Sequence, residues 1–92
     1  MEIRSIGVAW YRKDDYDVLR GLFADGHNLP LTYEAWEQQA NAFSNRMADR
    51  GVVIRKAYID PKTFPAWCQS RGMKIDAKAR QLFATEFARR YY

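Results

Sequence analysis

Ninety-two residues, 48% of them hydrophobic and 15% aromatic, suffice for one folded domain with its own core and exclude a disordered chain. No apolar run approaches the roughly 20 residues that cross a bilayer, and a single cysteine, Cys68, excludes an internal disulfide or a cysteine metal cluster within one chain. The net charge of +4 is uneven: residues 1–46 hold five basic and seven acidic side chains, residues 47–92 ten and four, which fits an anionic partner or simply a solvated basic face.

The first element is a strand over Ile3 to Trp10, too apolar and too short for a surface helix. Arg12 and Lys13 end it. Asp14 is the expected N-cap of a short helix, with Asp15 and Asp17 in the first turn, where carboxylates suit the positive helix end. Tyr16, Leu19, Leu22 and Phe23 recur at helical spacing, and Gly26 supplies a left-handed stop. His27 to Leu31 is a loop, because Pro30 disfavours helix at Leu29.

Thr32 caps the longest helix, on which Trp36, Ala40, Phe43 and Met47 form one apolar stripe, and Gly51 closes it. Val52 to Ile59 is a β-branched strand bounded by Gly51 and Asp60-Pro61. A turn at Asp60-Pro61 leads to Thr63, which caps a short helix from Phe64 to Arg71 with Pro65 in its tolerant first turn. Gly72 ends that helix. Asp76 caps the last one, with Ala79, Leu82, Phe83 and Phe87 expected on its inner face.

The second half thus repeats the element order of the first, though not its side chains. The reading is a single α/β or α+β domain over residues 1–92, in β-α-α-β-α-α order. Counting every helix as a full pass alternates the chain direction and makes the two strands antiparallel, a two-stranded sheet covered by four helices. A lone two-stranded ribbon is marginal, so either the helices cover it or a second copy extends it across an edge into four strands.

Chemistry-bearing signals are weak. His27, the only histidine, has Asp25 as its nearest carboxylate in sequence, and Cys68 sits next to Trp67 among apolar neighbours, where a buried inert thiol is the ordinary outcome. No glycine-rich phosphate loop follows either strand and no zinc spacing occurs, so no catalytic, cofactor or metal residues are assigned. Helix capping accounts for Asp14, Asp15 and Asp17 with fewer assumptions than a divalent ion. The pair of C-terminal helices resembles a helix-turn-helix only superficially, because its connection from Gly72 to Asp76 is longer than the usual turn.

Two surfaces stand out. The first is basic: Arg46, Arg50, Arg55, Lys56, Arg71, Lys74, Lys78, Arg89 and Arg90, with Tyr58, Tyr91 and Tyr92 as platforms for unpaired bases. The second is neutral and polar: Gln38, Asn41 and Asn45 recur along one face of the longest helix, and with the aromatic Tyr58 they are the expected protein interface.

The strings Gly7-Val-Ala-Trp-Tyr-Arg, Leu29-Pro-Leu-Thr-Tyr-Glu-Ala-Trp, Ile59-Asp-Pro and Phe64-Pro-Ala-Trp-Cys, in this order, resemble a group of small bacterial proteins of unknown function. The resemblance implies a bacterial cytosolic protein and supplies no activity; proteins of this size often travel on phage or plasmid DNA, where many bind a host complex. The start Met-Glu-Ile-Arg-Ser has neither the basic nor the apolar region of a signal peptide, which also favours the cytoplasm.

The sequence therefore reads as a binding module and not an enzyme. Its expected partner is another protein or a second copy of itself, as an accessory or inhibitory protein of a phage or mobile element, away from membranes. Its richness in Trp10, Tyr11, Trp36, Tyr58 and Trp67 is the support for this. Nucleic-acid binding through the basic half is the alternative, and a small enzyme around His27 or Cys68 the third.

Overall fold

The computed structural model describes residues 4–90 as a small α+β domain of two strands and four α-helices. In chain order these are β1 (Arg4–Trp10), α1 (Tyr16–Leu22), α2 (Tyr33–Asp49), β2 (Val52–Tyr58), α3 (Phe64–Ser70) and α4 (Ala77–Arg89), with 3-10 turns at Lys13–Asp15 and Gly26–Asn28. Ile3, expected in the first strand, and Tyr91 and Tyr92, expected as stacking platforms, lie outside the described residues.

The two strands are parallel, not antiparallel, with Arg4 opposite Val52 and Trp10 opposite Tyr58. The expectation failed because it counted the first short helix as a full return pass. A seven-residue strand spans about 23 Å, whereas the seven residues of α1 span only about 10 Å. With its flanking 3-10 turns, α1 folds over the end of the sheet, and the 17-residue α2, about 25 Å long, makes the return alone. One return leg between two strands makes them parallel.

Each strand face receives one long helix. Trp10 meets Trp36 of α2 edge-on, with ring centroids 5.2 Å apart, so the side of Arg4, Ile6, Val8 and Trp10 faces α2. Gly7, on the opposite side, lies against the backbone of α4 at Ala84. The buried face of α4 is accordingly small: Ala79, Ala84 and Ala88 are its buried apolar residues, while Leu82, expected inside, is exposed. Phe83 packs against the core from a half-buried position.

Most of the core lies beyond the C-terminal ends of the strands. Trp10, Tyr11, Tyr16, Leu19, Phe23, Trp36, Ile59, Phe64 and Cys68 form one buried cluster there, roofed by α1 and α3. Local signals mark several of the helix ends. Thr32 Oγ1 accepts from the Ala35 amide and Asp76 Oδ1 from the Ala79 amide, so the expected caps of α2 and α4 form, whereas Thr63, expected to cap α3, stands at its start without a side-chain bond to it. Gly51 and Gly72 take the left-handed conformation expected of helix stops (φ 79° and 64°).

Gly26 does not: its φ is not positive, and α1 has already ended at Leu22. A Cβ there would lie 1.8 Å from the Arg20 carbonyl oxygen, so close backbone approach is what requires glycine. Nor does Asp14 cap α1, since the 3-10 turn at Lys13–Asp15 comes first and no side chain bonds the helix start.

Arg80 is buried at the junction of α4 and α1. It donates to both Asp25 oxygens at 2.8 Å, with its guanidinium 4.3 Å from the Phe23 ring centroid. Beside it the Ala24 amide bonds the Ile75 carbonyl at 2.7 Å. These contacts tie the two halves of the chain together.

Candidate functional site

The outer edge of β1 is the most distinctive surface. The Ile59 amide donates to the Trp10 carbonyl at 3.0 Å, which fixes the parity of the parallel ladder. Arg4, Ile6, Val8 and Trp10 turn their backbone groups toward β2, and the alternate residues turn theirs outward. Among the described residues, no backbone bond outside the ladder reaches Gly7 or Ala9.

A groove of about 490 Å³ follows this edge. Its floor is four consecutive β1 residues, Ser5 to Val8, whose side chains alternate between the two sheet faces, so the groove straddles the edge. Gln81, Thr85, Ala88 and Arg89 of α4 form one wall, and Phe43 of α2 stands on the other. The two sheet edges differ in chemistry. β2 carries Arg55 and Lys56, charges of the kind that discourage edge pairing, whereas β1 has neither charge nor proline from Ser5 to Ala9.

One end of the groove is rich in arginine. Arg50 closes α2 just before Val52, which pairs with Arg4, and Arg46 lies one turn earlier. The helix α4 descends from Arg80, held at Asp25, past Gly7 to Arg89 at the groove wall and Arg90 beyond it. Arg4, Arg46, Arg50, Arg89 and Arg90 are all exposed at this end of the domain. The dipoles of α2 and α4 both present their negative ends here, which accounts for part of this placement.

The other expected basic contacts do not join them. Lys74 precedes α4 and Lys78 lies in its first turn, a helix length of roughly 16 Å from Arg89. Lys56 Nζ sits 4.4 Å from the Trp10 ring centroid, Arg55 is half-buried, and Arg71 pairs with Glu86 at 2.8 Å while covering Trp67.

The expected polar interface is not one surface either. Gln38, Asn41 and Asn45 are exposed on α2, but they lie roughly 140–160° around the helix from Phe43 and so face away from the groove. Tyr58, 41% exposed, stands at the far end of the sheet under the Arg12 guanidinium, 4.6 Å from its ring centroid. Of the five aromatic residues taken to signal an interface, Trp10, Tyr11 and Trp36 are buried in the core and Trp67 is stacked on Phe64. Of the groove residues only Arg89 was expected from the sequence as a partner contact. The legible signal for the rest was the uncharged run from Ser5 to Ala9.

The residues of the enzyme alternative are separate in role. His27 is exposed in the 3-10 turn at Gly26–Asn28. Cys68 is buried, and burial pushes its thiol up, the wrong direction for a nucleophile. Among the described residues no group of three or more His, Cys, Asp and Glu side chains is arranged to hold a metal ion, and no helix is long and apolar enough to cross a membrane.

Compared with known proteins, the chain matches no family model, no curated protein and no solved structure.

Proposed function

We propose that this chain is a non-catalytic binding module that works by protein–protein contact, taking an extended segment of its partner along the outer edge of β1. The observation that carries this reading is the groove itself: an uncharged strand edge with outward backbone groups, an apolar floor, and an arginine on its wall. Added strands gain affinity from main-chain hydrogen bonds and specificity from the side-chain sites on either face. Apolar centre and arginine rim is also the ordinary composition of a protein interface.

The test is affinity capture with the wild-type chain beside Ala9→Pro, which deletes an outward amide without touching the β1–β2 ladder, and Ile6→Lys, which charges the groove floor. Proteins retained by the wild type and released by both folded variants are the expected result. Retention unchanged by either substitution contradicts it.

The gathering of Arg4, Arg46, Arg50, Arg89 and Arg90 at one end favours a second reading, contact with duplex nucleic-acid phosphates. Anisotropy of labelled duplex DNA and RNA decides it. Binding that weakens steeply with salt, and that charge reversal at Arg46, Arg50, Arg89 and Arg90 abolishes, supports this reading; no binding at low salt removes it.

A further inference from the structure

Resting on the reading of the β1 edge as a docking surface, we infer that the segment it takes is an acidic peptide: apolar, small and apolar residues along the groove, followed by two consecutive carboxylates at the arginine-rich end.

The parity of β1 sets this pattern. A residue of an added strand points to the same sheet face as the β1 residue it lies opposite. Opposite Val8 and Ile6 it points to the α2 side, where those two side chains and Phe43 offer an apolar surface. Opposite Gly7 it points to the α4 side, where the close approach of α4 to the strand favours a small side chain. The main-chain bonds come from Gly7 and Ala9, whose outward groups no backbone bond reaches among the described residues. Ser5 is already engaged and is not required.

The next two positions meet cations on both faces. Opposite Ser5 the added side chain points to the α4 side, toward Arg89 on the groove wall; opposite Arg4 it points to the α2 side. Arg46 and Arg50 lie about 60° and about 20° around α2 from Phe43, so they continue the groove's own side of that helix. Among the described residues none of Arg4, Arg46, Arg50 and Arg89 makes an ion pair. Asp49 and the two helix ends, each carrying about half a negative charge, offset about two of the five arginines gathered here, so the end stays cationic. A guanidinium takes a carboxylate through two parallel hydrogen bonds, which fixes register as well as charge. A nucleic-acid duplex would meet the arginines but leave the uncharged strand edge and its apolar floor unused, and this favours the peptide.

Fluorescence anisotropy with capped, labelled peptides tests the inference. The probes are Thr-Val-Ala-Val-Glu-Glu and Glu-Glu-Val-Ala-Val-Thr, which serve the two strand directions, and the same peptides with Gln in place of Glu. The tighter acidic probe is expected to lose roughly tenfold in affinity when Glu becomes Gln, and as much when Arg4→Gln and Arg89→Gln are combined in the protein. Ala9→Pro, which leaves the arginines in place, is expected to weaken it too. Acidic and amide probes that bind equally overturn the inference, as does an acidic probe held equally by the wild type and Ala9→Pro, since it then meets only the charged end. No binding of either acidic probe up to about millimolar overturns it, and so does duplex DNA bound more tightly than both at physiological salt. The docking reading is judged separately: it falls only if proteins captured by the wild type are retained equally by Ala9→Pro and Ile6→Lys.

Discussion

Gly7 and Ala84 are in backbone contact: a Cβ on Gly7 would fall 1.9 Å from the Ala84 carbonyl oxygen and 3.1 Å from the Ala88 Cβ. This closeness sets α4 tightly on the side of β1 that Gly7 faces and shapes the α4 wall of the groove. Gly7→Ala must push α4 off the strand, because the clash is with backbone and no rotamer relieves it. The expected cost is about 3 kcal/mol or more, read as a lower denaturant midpoint. Stability within about 0.5 kcal/mol of wild type would show that α4 is free to move away.

Arg80 and Asp25 form a largely buried ion pair. Hydrogen bonds from the guanidinium hold the Asp25 carboxyl below its usual range, against the opposing effect of burial. Arg80→Met leaves Asp25 without its partner and removes the contact with the Phe23 ring. The expected loss is about 3 kcal/mol, at the lower end for a broken buried pair because Asp25 keeps some exposure. Chemical denaturation of the variant beside the wild type measures it, and an equally stable variant would contradict the role given to this pair.

The same pair sets an acid limit. Asp25 is depressed in the folded state, so its contribution is present above the unfolded carboxyl pKa of about 4 and is lost as pH falls through the folded value. The wild type should lose stability on that descent more steeply than Arg80→Met does. Equal slopes for the two proteins would rule out Asp25 as the titrating group.

Tyr11 sets an alkaline limit. Burial pushes its phenol up to about 12, although Arg80 pulls the other way. The folded protein prefers the neutral phenol, so this contribution is present below the unfolded pKa of about 10 and is lost as pH rises toward the folded value. Burial raises Tyr16 and Tyr33 as well, so Tyr11→Phe should flatten only part of the alkaline decline. Denaturation midpoints between pH about 9 and about 11 measure it, and an unchanged decline would place the effect on other groups.

What the sequence revealed was local. Thr32, Asp76, Gly51 and Gly72 act within one turn of their own position, and they mark the helix ends where expected. Strand direction depends on how far α1 travels, and that in turn on its breaking off at Leu22 between two 3-10 turns, which helical spacing alone does not show. Arg80 reads as one more surface charge until Asp25, 55 residues earlier, is seen beside it. Gly26 reads as a helix stop because the carbonyl it must clear belongs to Arg20 on the preceding helix. The groove was the least legible feature. It is made by the closeness of α4 to β1, and the small residues responsible, Gly7, Ala84 and Ala88, carry no chemical signature of their own.

Residue-resolved amide hydrogen exchange tests the role of the β1 edge most directly, in the free protein and in the presence of a captured partner. The outward amides of Gly7 and Ala9 should exchange quickly in the free protein and slow markedly when the partner adds a strand, while those of Val8 and Trp10, already in the β1–β2 ladder, change far less. Gly7 and Ala9 amides that exchange equally fast in both samples would contradict the account of this edge as the docking surface.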